Sequence, residues 1–425
     1  MSKESKAYKN LPKKVYIRTY GCQMNVSDSG MMINVLKAAG FEESASVESA
    51  DIVIFNSCSV RQHAEDRMFS NLGLAMKKNP SAGFVLAGCT AARCGGGIFD
   101  RFPRLGAVVG PSEIFKIASV AKQVIGGEKV TAVGEGDYPV VERAGGVSEY
   151  VVIQRGCDNF CSYCLVPRLR GKESCRPPSE ILREINCLAE SGTKEVILLG
   201  QNVNSYRGAG NIKDFPALLS AVSAVEGIKR IRFLTSHPKD LSDGLIEKMA
   251  ENPTIAKHIH LPVQSGSTRI LKLMNRNYTR EDYLLRAAKL KKRIPSISIT
   301  TDVIVGFPSE TDDDFEETLS LIREVSFDGV FVFKYSPREG TAAEELPDDV
   351  GNDEKKRRLE KVLVLAKELS KKSRRSWVGA DAEVLFEKDG VGHSSQNFLV
   401  LMEGARKGNL RKAAIKGISK WCLIA

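Results

Sequence analysis

Residues 150–164 read YVVIQRGCDNFCSYC. The run from Tyr150 to Arg155 is apolar and β-branched, as a strand requires. It is followed at once by Cys157, Cys161 and Cys164, with three and then two residues between them. A structural zinc site takes four ligands, the fourth commonly from a second pair at short spacing. Here Cys175 lies eleven residues beyond Cys164 and Cys187 twelve further, and the whole chain holds five histidines. Three thiolates without a fourth suit an iron–sulfur cube in which one iron is left without a protein ligand.

Working outward, strand and helix patterns alternate beyond this loop. The strand candidates are YVVIQR, EVILLG, RIRFLTS, HIHLPV, ISITTDVIVG and GVFVFKYS. Helical patterns separate most of them at Ser179–Glu190, Ala217–Val225, Asp240–Ala250, Arg280–Arg293 and Asp312–Glu324. Six such units predict an incomplete TIM-like (βα)6 barrel, whose site residues gather at the C-terminal ends of strands. Residues 352–375 come next, with Leu359, Val362, Leu363, Ala366 and Leu369 at spacings of three and four, the pattern of one amphipathic helix.

The first 130 residues alternate in the same way. VYIRTYG from Val15, DIVIFNS from Asp51 and GFVLAGC from Gly83 read as strands. Between the first two, SDSGMMINVLKAAG reads as a helix with Ser27 as its N-cap and Gly40 as its stop. This predicts an open parallel α/β sheet. Cys22, Cys58 and Cys89 each fall at or just past the end of one of these strands, where open sheets bind ligands, so three sequence-distant thiols are expected to converge. TAVGEGDYPVVERAGGVS (131–148) has neither period and reads as a linker. At the other end, AEVLFEKDGVGHSSQNFLVLME and KAAIKGISKWCLIA read as short strands of a small C-terminal all-β domain. The organisation expected is therefore 1–130, 131–148, 149–372 and 373–425.

Composition narrows the class. Hydrophobic residues make up 42% and charged residues 27%, an ordinary globular balance. No apolar run approaches the roughly 18 residues that span a bilayer. The N-terminus MSKESKAYKNLPKK lacks an apolar signal core, which reads as a soluble cytoplasmic protein, with thiols or metal ligands rather than disulfides. Lys and Arg exceed Asp and Glu by 62 to 52, a net charge of +10 that favours a polyanionic partner such as nucleic acid. Arg406, Lys407, Arg411, Lys412, Lys416 and Lys420 run along the tail with no acidic residue among them, and are candidates for phosphate contacts.

Cys-x3-Cys-x2-Cys after the first strand of a βα barrel resembles the radical S-adenosylmethionine superfamily. The resemblance extends along the chain to its methylthiotransferase family, in YGCQMNVSDS, FNSCSVR and LAGCTA, then in QRGCDNFCSYCLVPRLRGKESCRPPSEI, LLGQNVNSYRG, HLPVQSGSTRILKLMNR, TDVIVGFPSET and YSPREGTAA. The C-terminal segment resembles that family's TRAM RNA-binding domain. Within the family, GCQMN and LLGQNVNSYRG are most similar to the branch acting on N6-isopentenyladenosine beside the anticodon, at position 37 of tRNA. The other branches act on threonylcarbamoyl-adenosine or on a ribosomal protein. A non-catalytic iron–sulfur or zinc RNA-binding module is the alternative of a different class.

The resemblance implies two 4Fe-4S clusters. Cys157, Cys161 and Cys164 are expected to hold the one that binds and cleaves S-adenosylmethionine, and Cys22, Cys58 and Cys89 a second that carries the sulfur to be inserted. Carbon 2 of adenine bears an unactivated C–H bond beyond side-chain acid–base chemistry, so a cofactor must supply the reactive species. The implied events are methyl transfer from one S-adenosylmethionine to cluster-bound sulfur and formation of a 5′-deoxyadenosyl radical from another, in an order the sequence leaves open. Tyr163 is expected near the cofactor's adenine, and Gln201 and Asn202 near its polar end. Gln264, Ser265 and Gly306 hold similar rim positions, where satisfying backbone groups is the alternative role. Arg168 and Arg170 are expected to meet S-adenosylmethionine or RNA phosphate, or to be solvated. Cys94, Cys175, Cys187 and Cys422 read as packed free thiols. At Cys94, in GCTAARCGGG, the sequence departs from the family's Glu-containing helix start, and Cys89 is the expected ligand. Expected partners are tRNA, an electron donor such as flavodoxin or ferredoxin, and a sulfur source, with the enzyme a monomer.

Overall fold

The computed structural model describes residues 13–59, 62–134, 136 and 145–425. The chain divides into two compact units, Met1–Arg143 with Leu165–Lys172, and Ala144–Cys164 with Glu173–Ala425.

The first unit is an all-parallel sheet of β1 (Lys14–Tyr20), β2 (Glu42–Glu43), β3 (Ile52–Ser57), β4 (Gly83–Ala87), β5 (Leu105–Val109) and β6 (Val130–Ala132), in the order β2-β1-β3-β4-β5-β6. β3 is buried along its whole length, as a central strand covered on both faces must be. Val53 and Phe55 pack with Met68 and Leu72 of α2 (Gln62–Lys78). Ile52 and Ile54 face the other way, toward Met32 and Leu36 of α1 (Gln23–Ala38) and Ile117 and Val120 of α4 (Ile117–Ile125). A short helix, α3 (Cys89–Cys94), succeeds β4, and α5 (Val166–Arg170) belongs to this unit as well. Strand order reverses between β1 and β3, which makes their C-terminal ends the crevice of this sheet.

The structure departs from the sequence reading at two places in this unit. Helix α1 starts four residues before Ser27, with Cys22 as its N-cap, because the Asn25 carboxamide turns back to the Cys22 backbone N–H (3.4 Å) and closes the first turn there. The segment 131–148 is not wholly a linker: Thr131 and Ala132 extend the sheet as β6 and Ser148 opens β7 (Ser148–Val152), while 135 and 137–144 lie outside the described residues.

In the second unit β7, β8 (Glu195–Leu199) and β9 (Arg230–Phe233) form one parallel sheet in the order β9-β8-β7. A second comprises β10 (His258–His260), β11 (Ser298–Val305) and β12 (Gly329–Lys334). A parallel bridge between Ile231 and Ile255 connects β9 with the residues leading into β10. Helices α6 (Pro178–Glu190), α7 (Phe215–Ser223), α8 (Asp243–Glu251), α9 (Thr268–Leu273), α10 (Arg280–Arg293), α11 (Asp312–Val325) and α12 (Asn352–Arg375) complete it. α8 starts three residues later than its apolar spacing suggests, because Ser242 caps it by accepting the Leu245 N–H, leaving Asp240 in the preceding turn.

Helix α11 shows how tightly one helix start is fixed. The Asp314 carboxylate accepts the Thr311 N–H (2.9 Å) and Ser267 Oγ (2.6 Å), and pairs with Arg269. Burial raises its pKa, but the hydrogen bonds from Arg269, Ser267 and Thr311 win, so the folded carboxyl lies well below the usual range. Its stabilisation is present above the unfolded Asp value of about 3.9 and is lost as pH falls through the folded value. Asp314→Asn is expected to lower stability at neutral pH by on the order of 2 kcal/mol. In urea unfolding, the gap to the wild type should narrow as pH drops below about 4; a gap independent of pH would contradict the assignment.

The C-terminal residues fold into a six-stranded sheet of β13 (Asp381–Lys388), β14 (Val391–Ser394), β15 (Leu399–Leu401), β16 (Leu410–Ala414), β17 (Gly417–Ile418) and β18 (Leu423–Ile424), ordered β16-β13-β14-β15-β18-β17. It has its own core of Val384, Phe386, Val400 and Leu423. It is also docked on β9: Arg230, buried, donates to the carbonyls of His393 (2.8 Å) and Glu383 (3.2 Å), and Arg232 donates to that of Ser394 (3.1 Å).

Candidate cofactor sites

The first site lies at the strand ends of the first unit. Gly21 and Gly88 make it possible. A Cβ on Gly21 would stand 2.5 Å from the Cys58 Cβ, and one on Gly88 would stand 2.2 Å from Asn56 Oδ1, so only glycine lets the ends of β1 and β4 close on the end of β3. The Cys58 N–H donates to the Tyr20 carbonyl (2.8 Å). Behind the thiols, buried amides tie α1 to β3: Asn25 Nδ2 donates to Asn56 Oδ1 (3.3 Å), and Asn56 Nδ2 donates to the Asn25 carbonyl (2.8 Å) and Ser29 Oγ (2.9 Å).

Arg170 from α5 enters this cluster. Its Nε donates to Cys89 Sγ (3.3 Å) and its Nη2 to Asp28 Oδ2 (2.9 Å), with both charged side chains almost fully buried. Its Nη1 has no hydrogen-bond partner among the described residues. Cys22 is pushed down to about 5, first by its hydrogen bond with Cys58, with Arg170 adding to this and burial opposing it. Burial pushes Cys89 up, and Arg170 opposes that. The lowered value favours the thiolate, the form that ligates metal. Three thiols with a buried cation among them fit an iron–sulfur cluster. Among the described residues no three His, Cys, Asp or Glu side chains converge on a point as the ligands of a single ion do; a cluster, with its irons spread apart, takes thiolates from wider spacing.

Arg170 is therefore not solvated, whereas Arg168 on the same helix is exposed. Cys94 sits at the far end of α3 from Cys89, about 140° around the helix, and packs beside the core of Phe55 and Met68.

The second site is the loop after β7. Cys157 Sγ accepts from Asn159 Nδ2 (3.3 Å), and Cys161 Sγ from Arg276 Nη1 (3.4 Å). The residues ending α9 hold the loop: Asn275 Nδ2 donates to the Phe160 carbonyl (2.8 Å), and the Ser162 N–H to that of Met274 (3.0 Å). Arg276 is buried, donating also to Tyr278 Oη (3.0 Å) and the Pro262 carbonyl (2.8 Å). Burial pushes the Cys157 thiol up. Tyr163 lies half-buried against Phe307, ring edge to ring face at 6.4 Å. Each set of three cysteines thus has one buried arginine on one of its sulfurs. Neither arginine leaves a periodic trace in sequence; Arg276 stands in LMNRNY, within a stretch that carries the family resemblance, but no spacing singles it out.

The rim residues differ in what they have left to offer. Asn202 is engaged by the protein: its Nδ2 donates to Asp240 (2.6 Å) and its Oδ1 accepts the His237 N–H (3.1 Å). Gln201 Oε1 is buried with no partner among the described residues and is the freer of the two. Gln264 bridges to Val303 by backbone, Ser265 Oγ accepts the Ser267 N–H (3.2 Å), and the Gly306 N–H donates to Glu310 (2.5 Å). Cys175 accepts the Arg207 N–H, Cys422 lies beside Ser419 Oγ, and none of the ten cysteines is in a disulfide.

On the C-terminal sheet Arg406, Lys407, Arg411 and Lys412 are exposed. They are not without acidic neighbours: Glu383 is the cross-strand partner of Lys412, and the Asp389 carboxylate accepts the Lys407 N–H (2.7 Å). Antiparallel pairing brings these from 18 and 29 residues away, beyond what a local charge count sees. Trp421 is 70% exposed beside them in sequence, with Lys420 Nζ 5.1 Å from its ring. No helix among the described residues is long and apolar enough to cross a membrane.

Comparison with known proteins identifies the family. The profile of the Radical SAM superfamily matches residues 151–322, and that of the uncharacterized protein family UPF0004 matches 14–110. The tRNA-2-methylthio-N(6)-dimethylallyladenosine synthase of Caldicellulosiruptor saccharolyticus is 45% identical over 95% of this chain and 87% of its own length. That of Thermodesulfovibrio yellowstonii is 46% identical over 90% of each. Among solved structures, the radical S-adenosylmethionine methyltransferase TsrM from Kitasatospora setae matches with a TM-score of 0.57 at 12% identity, over 79% of this chain and 77% of that one, a likeness of fold alone. The chain belongs to the radical SAM family of tRNA-2-methylthio-N(6)-dimethylallyladenosine synthases.

Proposed function

We propose that this protein inserts a methylthio group at carbon 2 of N6-isopentenyladenosine, at position 37 of tRNA. The observation that carries the reading is the pair of three-thiol sites at strand C-terminal ends, each touched by one buried arginine. Cys157, Cys161 and Cys164 would hold a 4Fe-4S cluster, and Cys22, Cys58 and Cys89 a second. With S-adenosylmethionine these groups supply a radical able to break an unactivated C–H bond, and a sulfur to replace the hydrogen.

The chain's own contribution is positional. Asn275, Met274 and Arg276 fix the cysteine loop, and Gln201, with its unpartnered Oε1, would serve the polar end of the cofactor. We read β7 to β12 as one open (βα)6 arc whose C-terminal rim carries the chemistry. The segments 1–130, 149–372 and 373–425 serve as sulfur-carrying, radical-forming and RNA-binding parts. On the last of these, a TRAM-type sheet, Arg406, Lys407, Arg411 and Lys412 would meet phosphate, with the exposed Trp421 ring offering a stacking surface. The same reading makes the protein a cytoplasmic monomer fed by a reductant of the flavodoxin or ferredoxin kind and by a sulfur donor.

The test is anaerobic reconstitution, then nucleoside mass analysis of tRNA incubated with S-adenosylmethionine and reductant. About eight iron atoms per chain and appearance of the methylthio nucleoside are expected. A colourless zinc protein that leaves S-adenosylmethionine intact would overturn the reading.

A further inference from the structure

The inner face of the second unit's strands carries a patch that neither cysteine site uses. Along β11, Ile299, Val303 and Val305 pack into the main core beneath the helices, while Thr300, Asp302 and Ile304 point the other way and are half-exposed. On β12, Val330 and Val332 pack on that core, so Phe331 and Phe333 share the face of Asp302 and Ile304. The register sets Phe331 beside Asp302, and Phe333 beside Ile304. Phe331 is 55% exposed in mid-strand, a large apolar ring that meets His260 edge to face at 6.0 Å and otherwise presents itself to solvent.

Asp302 is held in place. His258 Nε2 and His260 Nδ1 both meet Thr300 Oγ1, at 3.1 and 3.0 Å, and His260 Nε2 faces Asp302 Oδ2 at 3.4 Å. The two imidazoles and the Thr300 hydroxyl thus line one side of Asp302, whose side chain is 24% exposed. Toward the strand ends the patch continues through Ile304, which packs against the small core containing Tyr163 and Phe307, beside the cysteine loop. Asp302 and Ile304 are two residues apart on one face, a step of roughly 6.6 Å.

We propose that Asp302, Ile304, Phe331 and Phe333 recognise the N6-substituent of the target adenine. The carboxylate accepts the N6–H, and the two rings and Ile304 cover the dimethylallyl chain. This rests on the reading of the chain as a tRNA methylthiotransferase. The charge makes the choice selective: an adenine whose N6-substituent ends in a carboxylate, as in threonylcarbamoyl-adenosine, would set like charges together on an apolar surface.

The test uses the full-length reconstituted enzyme and three anticodon stem-loop RNAs, carrying N6-dimethylallyladenosine, N6-threonylcarbamoyladenosine or adenosine at one position. Binding and methylthiolation are both measured. Phe331→Ala is expected to reduce the preference for dimethylallyladenosine over adenosine by about tenfold or more, with Phe331→Leu intermediate. Asp302→Asn is expected to weaken rejection of the threonylcarbamoyl RNA by a similar factor. Phe331 is exposed, so its substitution leaves the core intact, and iron content checks each variant; Phe333→Ala replaces any variant that loads poorly. Unchanged preference ratios in the Phe and Asp variants would overturn the patch. A wild-type enzyme that methylthiolates none of the three RNAs would instead overturn the functional reading.

Discussion

Replacing Cys89 with alanine will remove about half of the bound iron and abolish methylthiolation, whereas replacing Cys94 will leave both close to wild type. The two thiols share the six-residue helix α3, so composition and local sequence hardly separate them. Structure does. Cys89 is the first residue of the helix, buried, with Arg170 Nε 3.3 Å from its sulfur; Cys94 ends the helix on another face, against apolar side chains and Arg93. The cleanest measurement uses a background in which Cys157, Cys161 and Cys164 are all alanine, so that iron reports the first unit alone. In that background Cys89→Ala should bind almost no iron and Cys94→Ala about four atoms per chain. Full iron with Cys89→Ala and loss with Cys94→Ala would reverse the assignment.

Arg170→Met should destabilise the first unit by about 3–5 kcal/mol, because it removes the guanidinium that pairs with the fully buried Asp28 carboxylate. The unit's thermal midpoint is then expected to fall by roughly 10 °C. Adding Asp28→Asn should recover a large part of that loss, since removing both charges of a buried pair costs less than removing one. The cycle separates charge burial from packing: if the double variant is as unstable as the sum of the single ones, the guanidinium matters for its volume and not for its pairing with Asp28.

Much of this fold was legible because buried parallel strands write themselves as apolar runs. DIVIFNS marks β3 and GFVLAGC marks β4, while the spacing of Leu359, Val362 and Ala366 marks α12 with the ends the structure gives it. The cysteines at strand ends were legible for the same reason, since a strand's end fixes where the next residue stands. Misreadings came where a residue does two things at once. Cys22 caps α1 as well as serving the thiol site, and a cysteine is not read as a cap, so Ser27 was the apparent choice. Arg170 and Arg276 were harder still. A buried charge is justified by partners far away in sequence, Asp28 and Cys89 for one and Cys161 and Pro262 for the other, and no local pattern encodes them. The same holds for Asp302, whose neighbour His260 reaches it from β10.

The docking of the C-terminal sheet on β9 sets a limit on how this protein can be cut or rearranged. Arg230 and Arg232 sit inside the second unit; both donate to main-chain oxygen of the terminal residues, and Arg232 also pairs with Glu195 of β8. A chain ending near residue 380 would keep every strand from β7 to β12 yet take from Arg230 its carbonyl acceptors and leave Arg232 to its pair with Glu195. The terminal sheet is the floor on which those strands stand, so removing it takes away the basic surface and hydrogen-bond partners of the second unit's interior in one step.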